Sequence, residues 1–118
     1  MASIMSNEEF NALFVTAIEA DLQLRAKIQK KYTTKKQKRV LSSIKYHYKL
    51  SKQDYITLLV TQKCVCAICG GSKALVVDHC HSLGHVRGLL CRACNTGLGF
   101  FGDSIERLEE AVKYLKKS

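Results

Sequence analysis

Residues 76–95 read VVDHCHSLGHVRGLLCRACN, and their reading decides what kind of fold the chain can adopt. Two short β-branched segments, ALVVDH and HVRGLL, are joined by CHSLG, whose Gly84 can supply a positive φ. A two-stranded hairpin is predicted. CRACNTGLGFF follows at once and is predicted to form a short helix ending in its glycines.

The cysteines around this stretch are spaced for a metal. Cys66 and Cys69 form one C-x2-C pair and Cys91 and Cys94 another, with 21 residues between Cys69 and Cys91. A two-residue gap lets both thiolates of a tight turn face one ion, and two such turns complete a tetrahedron of sulfurs, which suits structural zinc. Six cysteines in a short secreted chain would instead suggest disulfides, but no secretory signal precedes them. Cys64 competes with Cys66 for a place in the clamp, yet only Cys66 has the two-residue gap to Cys69. Cys64 is therefore expected to be a free, partly buried thiol, and Cys80 is left outside the clamp.

With zinc satisfied by the two pairs, the DHCH residues are left over. The clamp fixes the strand ending in Asp78 and His79 against the helix carrying Asn95, which brings a carboxylate, an imidazole and an amide oxygen into one small space. Asp78 and Asn95 offer hard oxygen ligands, better suited to Mg²⁺ or Mn²⁺ than to zinc. An imidazole such as that of His79 can accept a proton from an attacking water. A divalent cation offsets charge on a scissile phosphate and its departing oxygen. Phosphodiester hydrolysis needs this set. The plain alternative is a loop whose polar groups merely satisfy the hairpin. A Cys80 nucleophile is disfavoured because adjacent strand residues point to opposite faces, so neither neighbouring histidine is placed to activate it.

Outward from the hairpin the chain is helical. Ser6 and Glu9 make a capping box before Phe10, Leu13, Phe14, Ala17 and Ile18, predicting a helix from about residue 7 into the high twenties. A loop is expected around YTTKKQK, then a second helix carrying Val40, Leu41, Ile44 and Tyr48 to about residue 49. Ser51 and Asp54 suggest another capping box, leading into Ile56, Leu59 and Val60. Past the hairpin, Asp103 with Glu106 is expected to cap a last helix whose Ile105, Leu108, Val112 and Leu115 form an apolar seam.

The formal charge of +9 is concentrated between Arg25 and Lys52, where there are eleven Lys or Arg and no Asp or Glu. Such a tract attracts phosphates in a salt-dependent way, with a solvated, solubilising face as the bland alternative. Tyr32, Tyr46 and Tyr48 within it suit either a nucleic-acid surface or core contacts. No run approaches 18 apolar residues, so the protein is expected to be cytoplasmic, with no membrane partner.

CAICG, then VVDHCHSLGHVRGLLCRACNTGLG, then DSIERLEEAVKYL together resemble the recombination endonuclease VII family of HNH nucleases, known largely from bacteriophages. The resemblance covers roughly residues 52 to 118. It implies an α+β fold: a small zinc-stapled ββα-metal (HNH) nuclease with an N-terminal helical region and a C-terminal helix. It also implies a DNA endonuclease in which His79 is the general base and Asp78 and Asn95 hold one catalytic Mg²⁺ or Mn²⁺. Cys66, Cys69, Cys91 and Cys94 then hold the structural Zn²⁺. His81 falls on a second histidine that touches or orients the scissile phosphate, and Arg87 on a phosphate contact. Cys80 departs from the family pattern, which often has an acidic residue there.

Residues 1–50 are accordingly read as a basic helical DNA-binding and self-association region, with Lys35, Lys36, Lys38, Arg39 and Lys45 on the duplex backbone. Residues 51–118 are read as the nuclease domain, the two forming one compact unit. Resolution of branched DNA such as a Holliday junction, or double-strand cleavage, favours a homodimer through the apolar face of the first helix. A monomer favours a homing-type or loosely specific nickase. A non-catalytic zinc module that binds nucleic acid explains the cysteines and charge, but not the joint occurrence of Asp78, His79 and Asn95.

Overall fold

A computed structural model describes residues 6–117, apart from the side chains of Phe10 and of residues 13–16. Among the described residues the fold is mixed α and β, with five helices and one two-stranded antiparallel sheet. Packing divides the chain after Lys63 into two compact units. The third helix packs against the first and so belongs with it.

The first unit holds α1 (Asn7–Lys31), α2 (Lys35–Tyr48) and α3 (Lys52–Thr61). The Ser6 capping box forms: the Glu9 N–H donates to the Ser6 hydroxyl, and the Ser6 N–H donates to the Glu9 carboxylate. Glu8 and Glu9 at the start and Lys30 and Lys31 at the end complement the helix dipole. The loop expected over YTTKKQK shrinks to a short turn, because the Thr34 side chain accepts the Gln37 N–H and starts α2 at Lys35. The lysines that argued against helix there are exposed, where water screens their repulsion. Lys49, left-handed at φ 55°, ends α2, and the Ser51 hydroxyl caps α3 by accepting the Asp54 N–H.

Among the described residues of this unit, Ile28, Tyr32, Leu41, Tyr55, Ile56, Leu59 and Val60 are the buried apolar ones. Tyr32 and Tyr55 meet edge to face at 5.8 Å, with their hydroxyls 3.3 Å apart. Of the three tyrosines in the basic tract, Tyr32 is therefore core, while Tyr46 stands 82% exposed. Of the self-association face expected on Phe10, Leu13, Phe14 and Ile18, the first three side chains lie outside the described residues, and Ile18 is exposed. No described helix is long and apolar enough to cross a membrane.

The second unit begins with a cysteine-bearing turn and continues through β1 (Leu75–His79), β2 (Val86–Cys91), α4 (Arg92–Phe100) and α5 (Ile105–Lys116). The strands pair from Leu75 with Cys91 to Asp78 with Gly88, and the register then slips so that His79 faces Val86. Arg87 is the extra residue, which makes this a β-bulge. In an unbroken ladder Arg87 would face the same side as His79; the bulge turns it toward Asp78. The turn closes through Gly84 at φ 79°, whose N–H donates to the Cys80 carbonyl.

Helix α4 packs on both strands, and Cys66, Leu90 and Cys91 form a buried cluster with Leu75, Cys94 and Leu98 around it. The helix runs through Gly97 and Gly99 and ends at Phe100, with Gly102, φ 66°, turning the chain just beyond it. Asp103 does not cap α5. Ser104 does, its hydroxyl accepting the Arg107 N–H, because Asp103 is committed elsewhere. The α5 seam is largely uncovered, with Ile105, Val112 and Leu115 all exposed.

Ile56 and Leu89 are both 0% exposed. Replacing either by alanine is expected to lower stability by about 2–5 kcal/mol in urea unfolding. Leu83→Ala, at an exposed turn position, is expected to change it by less than about 0.5 kcal/mol.

Candidate functional site

The turn ahead of β1 is shaped to present two sulfurs. The Cys66 N–H donates to the Gly71 carbonyl and the Gly70 N–H to the Cys66 carbonyl, with Gly70 at φ 71° as the tight turn requires. The Ile68 N–H then points at the Cys66 Sγ and the Gly71 N–H at the Cys69 Sγ. A bond from the Ala67 N–H to the Leu89 carbonyl ties this turn to β2. At the other end of β2, the Cys91 Sγ accepts the Cys94 N–H and so caps α4.

These two turns bring the sulfurs of Cys66, Cys69, Cys91 and Cys94 within 4.8 Å of one another. The Cys69 and Cys91 Sγ atoms are 3.7 Å apart. A regular tetrahedron with zinc–sulfur bonds of about 2.3 Å has edges of about 3.8 Å, so the quartet fits one zinc ion. Burial pushes the Cys66 thiol up, but the backbone N–H groups of Cys69, Cys91 and Ile68 outweigh it and bring it down to about 6. Cys94, hydrogen-bonded to Cys91 and half-buried, is pushed up to about 12. Ion uptake by such a set releases the remaining thiol protons. Cys64 and Cys80 lie outside the quartet.

Asp78, near the end of β1, is 6% exposed and is the buried charged residue among those described. Arg87 grips it from the bulge, with Nε 2.7 Å from Oδ2 and Nη2 3.1 Å from Oδ1. The same guanidinium donates through Nη1 and Nη2 to both oxygens of Asp103, each at 2.8 Å. These four bonds engage four of the five N–H groups of an arginine. Both pairings raise Arg87 above its ordinary value, and the Arg87 bond holds Asp103 below the usual carboxylate range.

Asp103 is aimed by its backbone. It sits at φ 56°, next to Gly102 at φ 66°, and its N–H donates to the Leu98 carbonyl. Asp103 was assigned only a capping role from the sequence, and the bulge was not anticipated. Gly88 inside a strand pattern was the available signal for the bulge.

The histidines form a second group. His79 is half-buried and His81 exposed, their rings 4.7 Å apart at 52°. His79 ends β1 and His81 lies in the turn that follows, so the turn folds the second ring back onto the first. Both rings act electrostatically on Asp103. Cys80 between them bonds instead with the Ser82 hydroxyl, 3.3 Å away, and this bond lowers its thiol. Asn95 is half-buried on α4. A cleft of about 270 Å³ is bordered by Asp78, Arg87, Gly88, Ala67, Ile68, Leu90 and Leu98. Neither His79 nor Asn95 borders it.

In the other unit, α2 carries no acidic residue, and Lys35, Lys36, Lys38, Arg39 and Lys45 are exposed on it. Two neighbouring grooves share Ser42 and Lys45. One adds Lys38, Leu41, Ser51 and Lys52, the other Tyr46 and Lys49.

One zinc ion per chain is expected on metal analysis, and serine at any of Cys66, Cys69, Cys91 or Cys94 should reduce that content, whereas Cys64→Ser and Cys80→Ser should retain it. Stripping the ion with a strong chelator should lower the thermal midpoint of the second unit, followed by circular dichroism.

The model of the recombination endonuclease VII family matches residues 41–117, a span that includes the quartet, both strands, α4 and α5. Gene 59 protein of Mycobacterium phage D29 is 43% identical over 75 residues, 59% of this chain and 46% of that protein. Gene 59 protein of Mycobacterium phage L5 is 41% identical over 73 residues, 58% of this chain and 44% of that protein. The chain thus covers less than half the length of these relatives. No solved structure matches it at a significant level. With about two thirds of its length matched, the chain belongs to the recombination endonuclease VII family.

Proposed function

We propose that the chain is a metal-dependent DNA endonuclease of the HNH type that hydrolyses phosphodiester bonds, with His79 as the general base. The observation that carries this reading is the location of Asp78 and His79 together at the end of a strand tied to the cysteine quartet, inside the segment matched to a nuclease family. A base must be held still to take a proton from water in the right direction. His79 is the last residue of β1, and its ring is packed against that of His81. His79 takes the proton of the attacking water, and His81, the more exposed ring, orients the phosphate. Arg87 has one N–H left for a phosphate oxygen while it bridges both aspartates.

Asp78 and Asn95 are the proposed ligands of the Mg²⁺ or Mn²⁺. The chemistry of the donors fits, since both offer hard oxygens and the Asp78 carboxylate borders a cleft. When bound, the cation offsets charge on the phosphate and on the leaving 3′ oxygen. Lys35, Lys36, Lys38, Arg39 and Lys45 would hold the duplex backbone, positioning the cut without specifying sequence. A homodimer through the N-terminal helices would suit junction resolution or paired cuts, and a monomer would suit nicking.

A non-catalytic zinc module that binds nucleic acid is the second reading. The observation that favours it is the pairing of both Asp78 oxygens with Arg87.

Wild type and His79→Ala are to be compared on supercoiled plasmid with Mg²⁺, Mn²⁺ or EDTA. Metal-dependent nicking is expected, reduced by the substitution about 100-fold or more while DNA binding survives. Equal rates would remove His79 from the mechanism, and tight binding without cleavage of plasmid, four-way junction or linear duplex would favour the binding module. Faster cleavage of the junction than of a matched duplex would assign resolution.

DNA binding in EDTA should weaken steeply with salt. Replacing Lys38 and Lys45 by alanine should flatten the log–log salt slope by about 1–2.

A further inference from the structure

The fork of Arg87 is more than a surface ion pair. Asp78 is almost fully buried, and both its oxygens are already occupied by a guanidinium. Each oxygen keeps a second lone pair, but a cation approaching it meets the positive charge of the guanidinium, so the charge-assisted, two-point contact opposes cation binding. An arginine with no other carboxylate would be left with its N–H groups unmatched in a side chain that is only about a third exposed, an arrangement that opposes exchange.

Asp103 removes that obstacle. It takes two further N–H groups of the same guanidinium at 2.8 Å each, while the Asp78 contacts are 2.7 and 3.1 Å. The fold maintains this geometry from both sides. The bulge in β2 delivers Arg87 to the Asp78 face, and the left-handed Gly102 and Asp103 turn the carboxylate onto it. A non-glycine residue at positive φ is uncommon and is tolerated best by Asp and Asn.

We propose that Asp103 is a positioning residue that retains Arg87 when Asp78 exchanges its guanidinium for a divalent cation, so that Arg87 serves as an exchangeable counter-ion of the cation site. This rests on the assignment of Asp78 as a cation ligand. Asp103 touches neither the cation nor the substrate and acts through Arg87. In Asp103→Asn the guanidinium has only Asp78 as an anionic partner, holds it more tightly and resists the incoming cation. Where Arg87 is absent, Asp103 has nothing to hold.

The test is a double-mutant cycle read by Mn²⁺ binding to the full, zinc-loaded chain without DNA, using electron paramagnetic resonance of free Mn²⁺. Wild type, Asp103→Asn, Arg87→Gln and the double variant are compared, each checked for zinc content and helicity. Asp103→Asn is expected to weaken Mn²⁺ binding about fivefold or more, Asp103→Glu to restore part of it, and Arg87→Gln to strengthen it. In the Arg87→Gln background the Asp103 substitution should have no effect.

An equal weakening in both backgrounds would overturn the proposal, because Asp103 would then act as a nearby negative charge or a direct ligand. No weakening in either background would overturn it as well, and so would Mn²⁺ binding that survives Asp78→Asn. If Asp103→Asn loses its zinc, Arg87→Lys carries the test. An ammonium has three N–H groups and cannot reproduce the four bonds of the guanidinium, so tighter Mn²⁺ binding is expected and unchanged or weaker binding counts against the exchange. Because no DNA is present, the cycle separates the two ideas. Coupling without any plasmid cleavage would keep the counter-ion and reject the nuclease, and cleavage without coupling would do the reverse.

Discussion

Convergence of four sulfurs from two turns is the constraint on which the second unit depends. This unit has few fully buried residues. Leu89 and Leu90 are its most buried aliphatic side chains, and Leu90 clusters with two of the cysteines, Cys66 and Cys91. A core of that size offers little against the conformational entropy of some fifty residues, and domains in this range usually rely on a metal or disulfides. Cys66 and Cys69 come from the turn ahead of β1, and Cys91 and Cys94 from the junction of β2 with α4. One ion bound to all four fixes turn, sheet and helix together.

Strand register and helix start follow from the same junction. Cys91 is at once the last residue of β2, the partner of Leu75 and the cap of α4, so sheet pairing and helix initiation meet at a single residue. From there the strand runs back to Arg87, where the extra residue breaks the alternation. The consequence is electrostatic. A side chain that regular pairing would set beside His79 instead neutralises Asp78, and Asp103 reaches the same guanidinium from beyond α4. The buried carboxylate is thereby compensated, as an ionised group at 6% exposure must be. The bond that satisfies Asp78 also sets a positive charge against both its oxygens, which opposes the approach of a cation.

Much of the fold was legible because its signals are local. Ser6 with Glu9, Ser51 before Asp54, and the segments about Gly84 gave elements close to those observed. Misplaced boundaries also have local explanations. Thr34 caps α2 despite the lysines that follow, since exposed charges repel weakly through water, and Ser104 rather than Asp103 caps α5. The cysteine spacing was legible for a stronger reason. Two residues between thiolates is a geometric requirement of a shared ion, and the structure brings the four chosen sulfurs together while leaving Cys64 and Cys80 aside.

The sequence by itself determined the helices, the hairpin, the cysteine quartet and the concentration of positive charge between Arg25 and Lys52, because caps, turn glycines, cysteine spacing and composition act over a few residues at a time. Tertiary structure alone decided which charges meet. Asp78, Arg87 and Asp103 are separated along the chain, and their contact requires a register slip in one strand and two left-handed residues after a helix. Neither has a strong sequence signature, since a bulge depends on the pairing of both strands and the left-handed turn on where α4 ends. Whether Arg87 faced a histidine, a carboxylate or solvent was therefore settled by pairing and packing.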